Sequence, residues 1–199
     1  MVDAMALLYR LAERQVGYFT TAQANAEGVS DQLLRHHLQA GRIERAARGI
    51  YRLAHFPAQR YEDLVVVTLW TGQGSAVSHE TALVVHGIGA AMPSRIHVTV
   101  PRPFRGVRAG VVVHHAALDE RDRAVREDVP VTTVERTLVD ISGRSDISLV
   151  RAAARDALER GLTTRRRLDR ALERAREHHP KVSDAADLAG LLAELRTHD

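Results

Sequence analysis

Between Asp3 and Leu53 the chain carries three helix-start signals, each followed by a glycine stop, and then two β-prone runs around another glycine. Few folds accommodate that order. Asp3 is placed to cap a first helix with Met5, Leu7, Leu8 and Leu11 on its buried side, ending by Gly17. Thr20 caps a second, short helix, and Gln23 stands at the capping-box spacing. After the turn Glu27-Gly28-Val29-Ser30, Ser30 caps a third helix that runs to about Ala40 and stops at Gly41. Ile43–Ala46 and Ile50–Leu53 flank Ala47-Arg48-Gly49 and predict a hairpin. Helix, helix, turn, helix, hairpin is a winged helix-turn-helix.

The third helix carries the chemistry. Gln32, Arg35, His36 and Gln39 fall at i, i+3, i+4 and i+7, on one face, while Leu33, Leu34 and Leu38 lie on the other side. Arg and Gln forks match guanine and adenine edges in a major groove. No acid stands on that face, Asp31 lying off it near the helix start. Free N–H groups at the helix start, by Ser30, can meet a phosphate. Arg42, Arg45, Arg48 and Arg52 follow in and around the hairpin, where a wing reaches phosphates or a minor groove. The residues expected to touch DNA are Thr20, Thr21, Ser30, Gln32, Arg35, His36, Gln39, Arg42, Arg45 and Arg48. The competing reading of the same pattern is a docking module for another protein. Residues 1–57 hold seven arginines against five acids, so charge matters only if it is sorted by face.

Composition narrows the classes. At 45% apolar residues the chain is globular, and it shows no run of the ~20 apolar residues that a membrane span needs. It has no cysteine, which excludes disulfides, thiolate metal sites and cysteine nucleophiles. The start has no basic segment leading into an apolar one, so no secretory signal is expected and a cytoplasmic location fits. Of the 28 basic residues, only Lys181 is lysine. Arginine's planar fork suits phosphates and guanine.

Residues 54–60 look like a linker, which sets the expected boundary: a winged helix-turn-helix over 1–57 and a mixed domain over 58–199. In the second, residues 61–73 are helix-like, and Ser78 is expected to cap a helix ending before Gly87. Ile96–Val100 and Val111–His115 read as strands, which Arg102–Gly110 can close as a long hairpin. Val129–Val131 is a short extended piece, and Thr132 with Glu135 forms a capping box for the next helix. From Ser148 onward three helices are expected, broken at Gly161 and near Pro180. The fold class is therefore α+β: an N-terminal winged helix-turn-helix, then a mixed α/β domain with a helical C-terminal tail.

No catalytic site, metal site or cofactor is expected. His79-Glu80 begins like a zincin helix, but that motif wants histidine where Leu83 stands. His86, seven residues on, can share a face with His79. His114-His115 are strand neighbours and point to opposite faces, so they do not chelate together. Asp119, Glu120, Asp122, Glu127 and Asp128 are interleaved with arginines and read as a solvated loop. The basic run within 163–177 is either a solvated helix face or a second anion surface. Leu188, Leu191, Leu192 and Leu195 form a last apolar helix face.

Three stretches together resemble a known family. They are Gly17–Ala24 with Gly28-Val29-Ser30 and Gly41–Leu53; Ser78–Leu83 with Ile96–Pro101; and Val129–Asp140. The chain is similar to AbiEi-type antitoxins of the AbiE (type IV) toxin–antitoxin system, over about residues 16–145 and more loosely in the tail. The resemblance implies a DNA-binding repressor of its own operon, with double-stranded operator DNA as one partner. It implies a cognate nucleotidyltransferase-like toxin as the other, countered by the second domain with or without a direct complex. The alternative is a stand-alone winged helix-turn-helix regulator. A related group continues into a restriction-endonuclease-like domain, which needs a strand acid and then Glu-x-Lys. Here the single lysine, Lys181, is followed by Val and Ser, which argues against a nuclease.

Overall fold

The computed structural model describes residues 3–142, 144–178, 188–190 and 193. The chain divides into two compact units, Met1–Gln73 with Glu127–Val129, and Gly74–Arg126 with Pro130–Asp199.

The first unit opens with α1 (Ala4–Glu13), whose first N–H groups are capped by the Asp3 carboxylate on Met5 N–H at 3.0 Å. Strand β1 (Tyr18–Thr20) leads into α2 (Thr21–Ala26). Thr20 and Gln23 form the expected capping box: Gln23 N–H donates to Thr20 Oγ1 at 3.1 Å, and Thr20 N–H donates to Gln23 Oε1 at 2.8 Å. Helix α3 (Asp31–Gln39) is capped by Ser30, whose hydroxyl accepts from Leu33 N–H at 3.3 Å. Strands β2 (Ile43–Ala47) and β3 (Ile50–Leu53) form the wing. Strand β1 was not expected. It pairs antiparallel with β3, Phe19 opposite Tyr51, so the sheet order is β1-β3-β2.

Leu8, Ala12, Phe19, Ala24, Val29, Leu34, Ile43 and Leu53 make one buried core, with Tyr51 and Phe56 packed against it. Its tightest point is Gly17. The residue sits at φ +86°, and a Cβ there would lie 2.5 Å from Phe56 Cγ. Only glycine satisfies both the backbone and the ring.

Residues 54–60 are not a free linker. Ala54 N–H donates to Arg42 O at 3.1 Å, and Phe56 N–H to Leu53 O at 3.2 Å. Helix α4 (Glu62–Thr71) packs on β1 and β3, so the division falls after Gln73 rather than after Pro57. The ties are polar and specific. Tyr18 OH donates to Glu62 Oε2 at 2.8 Å, Gln59 N–H to Glu62 Oε1 at 2.9 Å, and Arg52 Nη2 to Glu62 Oε1 at 3.2 Å.

The second unit has a five-stranded sheet in the order β6-β5-β4-β8-β7. Its strands are β4 (Ala76–Val77), β5 (Ile96–Val100), β6 (Val111–His115), β7 (Arg123–Arg126) and β8 (Val129–Thr132). Its helices are α5 (His79–His86), α6 (Val134–Ile141), α7 (Ile147–Glu159) and α8 (Arg165–His178). Helix α6 contacts α5, α7 and α8, and their shared core includes Leu83, Leu138, Ile141, Val150, Leu168, Leu172 and Leu188.

Five expectations change here. The first concerns β5 and β6, which pair in parallel, not as a hairpin, with His97 opposite Val112 and Thr99 opposite His114. Pro101 and Pro103 hold the start of the connection away from a tight turn, and it returns the chain to the beginning of β5. There Ile96 N–H donates to Gly110 O at 2.8 Å.

The second concerns Ser78. It precedes α5 without capping it, because its hydroxyl accepts from Thr99 Oγ1 at 2.8 Å and lies 3.0 Å from His79 Nδ1. The third is the cap of α6, which is Thr133, since the Thr132 hydroxyl is taken by Thr137 Oγ1 at 2.7 Å. The fourth is the acidic segment 119–128, which is not uniformly solvated. Asp122 pairs with Arg136 at 3.2 Å, and Arg136 also donates to Asp140 at 2.7 Å. The fifth is helix α7, which is capped by Asp146 rather than starting at Ser148; the break at Gly161 stands where expected. Leu188 is buried, while Pro180, Leu191, Leu192 and Leu195 lie outside the described residues.

Candidate functional site

The exposed face of α3 is built by opposing demands on one short helix. Leu34 and His37 are buried and Leu33 and Leu38 partly so, which fixes the rotation of the helix about its axis. Gln32, Arg35, His36 and Gln39 then all stand in solvent. From the first to the last of these the helix rises roughly 10 Å, about three base-pair steps. Asp31, the one acid of α3, is exposed and accepts from Asn25 Nδ2 at 3.1 Å.

The wing supplies further cations. Strands β2 and β3 turn through Arg48-Gly49, with Gly49 at φ +72° and a bulge between Arg45 and Ala47. Arg42, Arg45 and Arg48 are exposed, and β2 packs against α3. Thr21 pins the wing tip: its N–H donates to Gly49 O at 2.9 Å and its hydroxyl lies 3.4 Å from the same oxygen. Of the ten residues expected at DNA, seven present solvated side chains: Gln32, Arg35, His36, Gln39, Arg42, Arg45 and Arg48. Ser30 is exposed and serves as the cap of α3, while Thr20 and Thr21 are partly buried and occupied within the fold.

Arg52 does not extend the wing. Its guanidinium donates to Phe56 O at 2.7 Å and to Glu62, and lies 5.7 Å from the centre of the Tyr18 ring. Burial and the neighbouring Glu62 push the Tyr18 hydroxyl up to about 12. Burial alone would raise Glu62. Hydrogen bonds from Tyr18, the Gln59 N–H and Arg52 outweigh it and hold the carboxyl below its ordinary value.

A second constellation lies in the other unit. His79 at the start of α5, His97 on β5 and His114 on β6 each offer a ring nitrogen, all within 4.8 Å of one another. His97 Nδ1 and His114 Nε2 are 3.1 Å apart, and the His79 and His114 rings stack at 3.7 Å between centres. Parallel pairing does this, because His97 and His114 are diagonal neighbours on one face of β5 and β6. His79 is buried and sits at φ +52°, a backbone region costly for any residue but glycine. Desolvation, then the neighbouring His114, push it down to about 2. Burial and His97 push His114 down to about 4, and burial lowers His97 as well, against the pull of Glu80. Burial thus disfavours the charged form of all three rings.

Glu80 faces the same cluster. Its Oε2 lies 3.4 Å from His97 Nδ1 and, among the described residues, is buried without a hydrogen bond. Its Oε1 accepts from the Ser145 hydroxyl. His86 does not join His79: its Nε2 lies 2.7 Å from Thr132 O. His115 points away and is exposed, as strand alternation requires. Nothing in the linear spacing of 79, 97 and 114 groups these residues.

On α8, Arg166, Arg170 and Arg176 are exposed. Arg167 instead pairs with the buried Glu135 at 2.9 Å, and Glu135 also accepts from Thr163 at 2.5 Å.

The family model described as "Transcriptional regulator, AbiEi antitoxin" matches residues 7–54, and the one described as "AbiEi antitoxin C-terminal domain" matches residues 75–194. The crystal structure of the RV2827C protein from Mycobacterium tuberculosis matches with a TM-score of 0.52 at 17% identity, over 96% of this chain and 80% of that one. At that identity the likeness shows the fold alone. None of the curated proteins matches. The exposed helix and wing thus fall within the regulator match and the histidine cluster within the C-terminal one; the chain belongs to the AbiEi antitoxin family of antitoxins and transcriptional regulators.

Proposed function

We propose that the protein binds double-stranded operator DNA through α3 and the wing, represses its own operon, and counters a nucleotidyltransferase-like toxin encoded beside it. The observation that carries the DNA reading is the outward face of α3. Gln32, Arg35, His36 and Gln39 are all solvated there while Leu34 and His37 fix the helix. Long side chains held in solvent on a rigid helix suit base edges, and exposed Arg42, Arg45 and Arg48 suit phosphates. The polar face offers little apolar surface to anchor another protein.

The test uses the full chain and its own upstream region. Binding should be tight and log affinity should fall linearly with log salt, with a slope of about −0.9 per phosphate neutralised. A reporter on that promoter should be repressed by the wild type. Binding to unrelated duplexes with equal affinity would overturn the operator reading.

The toxin reading rests on the family. Residues 74–199 should rescue growth against the toxin, and residues 1–73 should not. Rescue by 1–73 alone would invert the division of labour. Failure of the full chain would leave a stand-alone regulator.

A further inference from the structure

We infer that His79, His97 and His114 form a binding site for one divalent first-row transition metal, with Glu80 beside it as an oxygen donor. Zinc is the best match. The inference is independent of the DNA reading.

Three ring nitrogens within 4.8 Å, two of them already 3.1 Å apart, are close to the spacing around a tetrahedral ion with bonds of about 2.0–2.1 Å. The donors come from α5, β5 and β6, so the framework and not one mobile loop sets their positions. His79 Nδ1 lies 3.0 Å from Ser78 Oγ, which leaves Nε2 for the ion. Thr99 donates to that same Ser78 oxygen, an outer hydrogen bond of the kind that orients metal-bound histidines.

The second observation is Glu80. A buried carboxylate oxygen without a hydrogen bond is expensive, and this one stands 3.4 Å from a cluster nitrogen. Ser145 holds its other oxygen. An ion at the histidines would give the free oxygen a partner. Three nitrogens and one oxygen favour zinc, cobalt, nickel or copper over magnesium or calcium, which take oxygen donors. Nearby arginines oppose a cation: Arg136 and Arg144 act on His79, and Arg95 on His97. Glu80 is the one acid set against them at His97. His97 and His114 are only partly buried, which leaves a way in.

The experiment is zinc binding to the tag-free, chelator-washed full chain, measured in competition with a chromophoric chelator, and cobalt(II) substitution read by visible absorption. One zinc per chain and an intense four-coordinate cobalt spectrum are expected, with magnesium unable to compete. His97→Gln and His114→Gln should each weaken zinc by more than the roughly 10–100-fold that loss of a supporting hydrogen bond costs. His115→Gln, on the next residue and exposed, should leave affinity unchanged. Equal affinity in the wild type and the His97→Gln/His114→Gln double variant would overturn the site. So would an equal loss in His115→Gln. Should a variant fail to fold by circular dichroism, the wild type decides alone. A weak, six-coordinate cobalt spectrum or no bound cobalt would refute the proposal, and a four-coordinate spectrum would support it.

Discussion

The α3 face and the histidine cluster treat the same side chain in opposite ways. His36 stands in solvent among Gln32, Arg35 and Gln39, on a helix whose other side is anchored by Leu34. His79 is buried, stacked on His114 and pushed down to about 2. In the first unit the polar residues of interest lie on one surface and contribute little to holding the fold. In the second they are desolvated and packed on one another. A surface of the first kind is expected to tolerate substitution in stability and to lose it in binding. A cluster of the second kind is expected to register change in both.

The sharpest test of this contrast removes three cations from the first unit. The Arg35→Ala/Arg45→Ala/Arg48→Ala variant should lose DNA binding by several kcal/mol, on the order of 3–6, while its unfolding midpoint stays near the wild type. A fluorescence anisotropy titration beside a thermal melt gives both numbers. Wild-type-like binding would remove α3 and the wing from the site.

Next comes a change that breaks the scaffold without touching that face. Gly17→Ala must place a Cβ against Phe56 at positive φ, so the first unit should lose about 2–5 kcal/mol. Denaturant unfolding measures it, and a loss below 1 kcal/mol would mean that Phe56 moves aside freely.

Within the face, single substitutions separate two roles. Arg35→Ala should cost about 1–3 kcal/mol on operator DNA and relax sequence preference. Arg48→Ala should weaken all duplexes alike and reduce the salt slope by about 0.9. Identical behaviour of the two would show that α3 reads no base.

A smaller effect lies in the Tyr18–Glu62–Arg52 tie. The Glu62 carboxyl is held below its usual 4.5, so it binds protons less readily folded than unfolded. The stability it contributes is present above that value and is lost as pH falls through the lowered one. Glu62→Gln should flatten that acid limb in a series of unfolding midpoints against pH. An unchanged acid limb would mean that the tie does not couple to folding.

The smallest effect is expected on α8. Arg166→Ala and Arg170→Ala, both exposed, should change DNA affinity and stability by no more than about 0.5 kcal/mol each. A loss as large as that of Arg48→Ala would make α8 a second anion surface.

These regions also differ in how far the sequence reveals them. The caps at Asp3, Thr20 with Gln23, and Ser30 act within three residues of themselves, and the α3 face repeats at helical spacing, so local pattern was enough. Strand β1 escaped because three residues after Gly17 carry no period of their own and are made a strand by β3. Ser78 and Thr132 have the composition of caps, yet Thr99 and Thr137, neither adjacent in sequence, claim their hydroxyls. The histidine cluster needed the parallel pairing of β5 and β6, and the proline-bearing segment between them gives no local sign of it.

That pairing has a further consequence for how the chain finds its structure. Val111-Val112-Val113-His114-His115 does not alternate. A slip of one residue would put His115 opposite Thr99 and Val113 opposite His97, and each face would keep much the same residue types. Apolar patterning therefore does not choose between the two alignments, as it would in a strand of strict period. Nor does the stacking on His79 choose, since the slip carries His115 into the place of His114; the choice falls to the Gly110 carbonyl bonded to Ile96. The alignment of β6 is thus set where the strand begins, by one backbone hydrogen bond, and any residue at 110 that displaced that carbonyl would free the strand to slide.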